Sequence, residues 1–302
     1  RKLAEIQACN TRVQRIRSLA GSSYEARLAI VRDYDNDYDC DLDVWHRRLA
    51  DSDREIFIAC SLAHAPMDYL YLLESTTVEE LARYGMLFYP HPLMLTERAA
   101  RLLAQYVEQG GTLIIGARTG LKDEHGHCPM RSMPGPLASL TRTEVTDFSL
   151  IGPGDEAETM NWEGQSLPAG IFSDILRPCS DQVQVLARYE NNYYRGEPAL
   201  TLTQRGKGAV LHFGGTFTRE NARAFLSYTG MEEPYRKLLS LPAGVELAVR
   251  DKDGRKAFFL LNYTAETQEL ELKDDFTDFD SGETVRGPVR LPAYGTKVYG
   301  HP

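Results

Sequence analysis

Apolar residues recur along the chain with two periods, and the changes between them mark its elements. Leu3, Ile6, Val13, Ile16 and Leu19 stand mostly at three- and four-residue steps with Arg and Glu between them, which predicts an opening helix over residues 1–19 with one sticky face. Gly21-Ser22-Ser23 breaks it. Residues 27–32 (RLAIVR) form an apolar run of buried-strand length, and residues 52–73 carry a periodic stretch that predicts a helix interrupted near Pro66. Met86–Tyr89 (MLFY) predicts a second buried strand. A helix over Glu97–Gln109 follows, with Thr96 as its N-cap and Gly110-Gly111 as its stop. Thr112–Ile115 (TLII) is the next strand.

Short apolar strands separated by glycine-closed helices predict a parallel sheet covered on both faces. With right-handed crossovers this becomes an α/β, doubly wound, mostly parallel sheet, of the class I glutamine amidotransferase-like or flavodoxin-like type. Residues 116–170 are rich in Gly, Pro, Thr and acids and read as a long irregular excursion. Regular structure resumes with Val183–Tyr189, residues 199–203 and residues 209–213, the last two joined as a hairpin through Arg205-Gly206-Lys207-Gly208. A final helix spans Arg219–Tyr228. Beyond residue 241 the pattern shortens and alternates, with Asp253-Gly254 as a hairpin signal, and predicts a small antiparallel β-sandwich domain.

Composition narrows the class without naming a function. The chain has 302 residues, a formal charge of −9 and 42% hydrophobic residues, which suits about two globular domains. An acidic balance disfavours nucleic acid or an anionic membrane as partner, since both select basic surfaces. No apolar run reaches the roughly 20 residues of a membrane span. The five cysteines are scattered without a CxxC pair, which fits reduced thiols and a cytoplasmic location. Residue 1 is Arg, and a helix at the very start suggests a piece cut from a longer chain.

Several catalytic grammars fail. The chain has no HExxH, GxSxG, phosphate-loop or strand-following GxGxxG motif. Six aspartates alternate from Asp33 to Asp43. Read as a calcium loop from Asp33, the glycine position is Tyr38 and the glutamate position Val44; from Asp35 they are Cys40 and His46. Both registers fail, so a solvated acidic loop is favoured, with contact to a partner or sugar open because ligands bind beyond the carboxyl ends of such strands. His125-Gly126-His127-Cys128 reads as a surface loop rather than a soft-metal cluster. No metal or cofactor is expected. An amidotransferase-type nucleophile belongs on the turn at residues 88–93 (FYPHPL), which holds neither Cys nor Ser, and His91 between two prolines reads as structural. No acid pair can be nominated for sugar hydrolysis, and the chain lacks the eight βα units of a barrel.

Several stretches, in order, resemble one family. Residues 28–34 (LAIVRDY), 110–124 (GGTLIIGARTGLKDE), 134–137 (PGPL), 185–189 (VLARY), 193–199 (YYRGEPA), 206–208 (GKG) and 258–264 (FFLLNYT) resemble the rear part of glycoside hydrolase family 42 β-galactosidases. The resemblance implies residues 1–23 as a helix leaving an absent (β/α)8 barrel, 24–238 as an α/β trimerisation domain and 239–302 as a C-terminal β-domain. It places both catalytic glutamates of a retaining β-galactosidase in the barrel, so no catalytic residue falls on this chain. It implies a homotrimer, with galactoside bound only through the barrel. That family's first loop carries tryptophans near a neighbouring subunit's active-site mouth. Here Asn36-Asp37-Tyr38-Asp39 stands instead, with Trp45 further on. Asp33, Asp35, Asn36, Tyr38 and Trp45 are accordingly the candidate binding residues of a strand-end loop near a subunit interface.

Two other readings stand beside the assembly module. A free-standing amidotransferase-like hydrolase would need Cys60 or Cys128 as its thiol. A carbohydrate-binding module would use Trp45, Trp162 and the Tyr193-Tyr194 pair as stacking platforms.

Overall fold

The computed structural model describes residues 2–42, 44, 46–152 and 154–301. Two compact units emerge, one formed by Arg27–Ala59 and Met67–Phe225, the other by Arg1–Ala26, Cys60–Pro66 and Leu226–Pro302. The chain opens with helix α1 (Lys2–Arg15), none of whose residues is buried, and strand β1 (Ser23–Tyr24).

The larger unit begins with β2 (Leu28–Arg32), α2 (Tyr34–Leu42), α3 (Asp51–Leu62) and β3 (Met67–Tyr71). It continues through α4 (Val78–Leu81), β4 (Met86–Tyr89), α5 (Glu97–Gln109) and β5 (Thr112–Ile115). Thr96 Oγ1 accepts the Ala99 N–H at 3.1 Å to start α5, and Gly110, at φ 125°, ends it. Residues 52–73 are not one interrupted helix. The helical part ends at Leu62, beyond which His64 takes a left-handed backbone (φ 46°), and the Met-Asp-Tyr-Leu-Tyr after Pro66 runs as a strand, β3, along the sheet's edge.

Residues 116–170 are likewise not irregular throughout. After α6 (Ala138–Thr141) come β6 (Thr143–Leu150), β7 (Glu158–Trp162), β8 (Gln165–Gly170) and β9 (Phe172–Pro178). The Gly, Pro and Thr content obscures their alternation in the sequence. Glu163 and Gly164, at φ 53° and 84°, supply the tight turn that joins β7 to β8. Strands β10 (Val183–Tyr189), β11 (Pro198–Arg205) and β12 (Gly208–Phe213) and helix α7 (Arg219–Tyr228) follow.

Nine of these strands form one sheet in the order β3-β2-β4-β5-β12-β11-β10-β7-β8. From β3 to β12 the pairings are parallel, as helical crossovers require; from β12 onward they are antiparallel. The expected mostly parallel sheet is therefore mixed, because hairpins replace crossovers in its second half. Strands β6 and β9 pair separately as an antiparallel ribbon. All four residues of β4 are buried, and Phe88, Phe213, Phe217 and Phe225 meet edge-on or tilted at centroid separations of 5.4–6.3 Å. Each such side chain contributes about 1.5–3 kcal/mol through burial.

In the other unit β1 joins β13 (Leu239–Ser240), β14 (Val245–Lys252), β15 (Arg255–Asn262), β16 (Gln268–Asp278), β17 (Thr284–Leu291) and β18 (Thr296–His301) in one antiparallel sheet of seven strands. The register slips between Leu272 and Phe276; β17 runs along both ends of β16, while the other edge of β16 pairs with β13 at one end and β18 at the other. These strands enclose a core built around Phe258, Phe276, Leu291 and Tyr299.

Candidate functional site

In the parallel half, β3 lies on one side of β2 and all later strands on the other. Strand addition reverses between β2 and β4, the place where ligands bind beyond the carboxyl ends of such sheets. A cavity of about 130 Å³ opens there, lined by Arg32 at the end of β2 and Asp33, Asn36 and Asp37 after it, Asp53 on α3, and Tyr89 at the end of β4 with Pro90 and His91 after it.

The acidic stretch that lines it is a helix, α2, and not the expected loop. One oxygen of Asp33 accepts the backbone N–H of Asp35 at 2.8 Å and of Asn36 at 3.4 Å, so the first aspartate caps the helix. Asp35 and Asp37 then lie in the first turn, where the helix dipole favours negative charge. The alternation that resembles a ligand loop is helix-starting chemistry.

Of the candidate residues, Asp33 and Asn36 reach the cavity. The other Asp33 oxygen accepts the Tyr89 hydroxyl at 3.1 Å, and burial pushes the Asp33 carboxyl up. Asn36 is buried and clamps Met94, donating to its carbonyl at 2.9 Å and accepting its N–H at 2.8 Å. Both side chains are thereby committed to holding the scaffold. Asp35 is exposed, and Tyr38 is 68% exposed without lining the cavity. Trp45 lies outside the described residues.

The charged centre of the site is one that sequence reasoning missed. Arg32, the last residue of β2, meets Asp37 at 2.9 Å and Asp53 at 3.5 Å. The bond to Asp37 raises the guanidinium's affinity for its proton further. Burial lifts the Asp53 carboxyl to about 6, against the pull of Arg32. The only signal in the sequence is a cation ending an apolar run just before a row of acids.

His91 and Ser52 form a second buried group. A carbonyl can only accept, so His91 Nδ1 donates to Ala117 O at 2.8 Å and Nε2 is the bare nitrogen. Ser52 donates to that nitrogen at 2.8 Å, and its own oxygen accepts the Phe217 N–H at 3.1 Å. Burial depresses the imidazole to about 4. Ser52 and His91 are both buried, and the pair ties the start of α3 to the segments that follow β4, β5 and β12.

The motif at residues 116–122 is structural in the same sense. Arg118 takes a left-handed backbone (φ 66°), and its N–H and guanidinium bind Asp174 at 2.6 and 3.0 Å in a buried pair. Thr119 Oγ1 returns to Gly116 O at 2.7 Å. Lys122 reaches Asp39 on α2.

This arrangement can position and connect, and it offers little to a reacting substrate. The cavity falls short of the roughly 300–1,000 Å³ usual for small-molecule sites. Cys60 is buried with its thiol pushed up to about 12, the reverse of an activated thiolate. Among the described residues no group of three or more His, Cys, Asp or Glu could hold a metal ion, and no helix is long and apolar enough to cross a membrane.

Two family models match the chain. Residues 74–233 match the family model described as "Beta-galactosidase trimerisation domain", and residues 244–300 match "Beta-galactosidase C-terminal domain". β-Galactosidase Pbg of Clostridium perfringens is 25% identical over 297 residues, covering 95% of this chain and 42% of the relative. BgaP of Planococcus sp. is 28% identical over 290 residues, covering 93% and 42%. The solved structure of Gan42B, a family 42 β-galactosidase from G. stearothermophilus, shares the fold at a TM-score of 0.88 and 21% identity, over 99% of this chain and 43% of that one. The chain thus spans about two fifths of the length of the relatives it matches.

Proposed function

Because the chain belongs to the family 42 β-galactosidases, through their trimerisation and C-terminal domains, we propose that it is the non-catalytic assembly and accessory portion of such an enzyme. The match of residues 74–233 to the trimerisation domain carries this reading. In it, three copies associate, and hydrolysis of terminal β-D-galactosides with retention belongs to glutamates of a (β/α)8 barrel outside these residues. The α/β unit then corresponds to the amidotransferase-like scaffold of that domain, emptied of its nucleophile.

The surface chemistry supports association. Strand β3 edges the nine-stranded sheet, and an unpaired edge is a template for further contact. Tyr69 and Tyr71 on it are 40% and 37% exposed; Tyr71 stacks on Tyr34 at 4.8 Å and Tyr69 on Phe57 at 6.5 Å. Aromatic pairs left in water beside an open edge are what a partner would cover.

Sedimentation equilibrium tests the assembly role: the expected mass is about three times the 34.0 kDa of one chain, and a monomer at all concentrations would refute it. Incubation with a chromogenic β-galactoside should give no turnover. Robust hydrolysis by the chain alone would overturn the non-catalytic reading.

A further inference from the structure

A second recess shares no lining residue with the strand-end cavity. It is a groove of about 540 Å³ in the larger unit, between the β6–β9 ribbon and the turn from β10 to β11. Asp147, Arg177, Arg188, Tyr193 and Glu197 line it.

The turn that carries Tyr193 is rigidly built. Gly196 N–H donates to Tyr189 O at 2.9 Å and Tyr189 N–H to Glu197 O at 3.0 Å, closing the loop at its base. Beneath it Glu158 is buried, and one of its oxygens accepts both the Tyr194 hydroxyl and the Asn192 amide at 2.6 Å. Asn192 sits at φ 63°, a left-handed conformation that asparagine tolerates. The buried carboxylate thereby fixes the conformation of an exposed turn.

Tyr193 itself remains 74% exposed, yet it is held at both ends. Its hydroxyl donates to Asp147 at 2.8 Å, and its ring meets that of Tyr194 nearly perpendicularly at 4.8 Å. These contacts hold the ring in one place although most of it remains in water. Ordering a ring in advance does lower the entropic cost of binding. Around it the charges are mixed: Arg188, anchored to Gly196 O at 2.7 Å, and Arg177 supply donors, while Asp147 and Glu197 supply acceptors.

We propose that this groove is a non-catalytic saccharide-binding site, in which Tyr193 stacks on the C–H face of a pyranose ring while Arg188 and Glu197 bond its hydroxyl groups. A neutral ligand dense in hydroxyls uses donors and acceptors together, whereas a polyanion would be opposed by Asp147 and Glu197. An aromatic plate beside paired polar groups is the division of labour that a ring with one apolar face and a polar rim requires. That the saccharide is a galactoside rests on the function proposed above; that it is a pyranoside does not.

The test is saturation-transfer NMR and calorimetric titration of the full chain with lactose and with maltose. Binding is expected in the millimolar range, with transfer to the sugar C–H protons. Tyr193→Ala should weaken it at least tenfold, while Tyr193→Phe, which keeps the plate and loses the tether to Asp147, should weaken it less. Tyr193 is exposed, and unchanged circular dichroism of both variants would confirm the fold. Binding of maltose but not lactose would uphold the site and remove the galactoside assignment. No transfer from either sugar, or binding indifferent to Tyr193→Ala, would overturn the proposal. Sedimentation of the same samples reads assembly independently, so a monomer that binds sugar would refute the assembly role and leave the groove standing.

Discussion

The Lys122 ammonium holds both carboxylate oxygens of Asp39, at 2.8 and 2.7 Å. Both side chains are largely withdrawn from water, with 14% and 16% of their surface left exposed. The contact joins the segment after β5 to the acidic helix α2, and so fixes the helix that walls the strand-end cavity. Lys122→Ala would leave a largely buried carboxylate without its cation, at a cost of about 1–3 kcal/mol. Urea unfolding should show that loss, and the double variant with Asp39→Asn should recover part of it. Additive losses would mean that the two residues do not act as a pair.

Asp174 and Arg118 make the stronger version of the same device. The carboxylate is fully buried and accepts from both the backbone and the guanidinium of Arg118. Removing one member of a buried pair strands the other, which costs about 3–5 kcal/mol. Asp174→Ala should therefore lower the thermal midpoint by many degrees. A change within about 1–2 °C would show that water readily replaces the carboxylate.

How much of this is legible in the sequence depends on whether the signal is local. Met86–Tyr89, Glu97–Gln109, Thr112–Ile115 and Arg219–Tyr228 fall where the pattern of their side chains places them, since the apolar run of each strand and the apolar face of each helix are local to the segment. Strand β3 reads as helix because Met-Asp-Tyr-Leu-Tyr is apolar at helical as well as strand spacing, and only its pairing with β2 decides. Strands β6 to β8 are hidden for a similar reason, as their partners are remote or lie across tight turns. At the site, Asp33 and Asn36 are identifiable from the end of β2, but their roles are capping and clamping. Arg32 and Asp53 stand 21 positions apart and meet only once α3 packs, so no local pattern could have joined them.

Gly120 gives a sharp test of how tightly the segment after β5 is packed. Its φ is 67°, and a Cβ there would sit 2.4 Å from the Pro134 carbonyl oxygen. Gly126 has a similar φ of 77°, but a Cβ there would meet nothing within 4 Å. Gly126→Ala should therefore cost only the left-handed backbone penalty, about 1 kcal/mol. Gly120→Ala adds displacement of backbone and should cost several times more, on the order of 3 kcal/mol. Equal denaturant midpoints for the two variants would refute the close approach.

The response to acid should set two kinds of buried group against each other. The folded Asp53 carboxyl titrates near 6, against roughly 3.9 unfolded, so its contribution to stability is greatest at low pH and is lost as pH rises through 6. His91 and His212 run the other way. Burial depresses them to about 4 and about 3, against roughly 6.5 unfolded, so their contribution is present above 6.5 and lost as pH falls. Between pH 4 and 6 the two imidazoles make acidification destabilising, and Asp53 partly compensates. Asp53→Asn removes that compensation, so the variant should lose stability more steeply on acidification, by up to about 1.4 kcal/mol per pH unit. Urea midpoints across this range, with an unaltered m-value, measure the slope directly. A variant whose slope matches or falls below that of the parent chain would show that Asp53 does not take up a proton in the folded state.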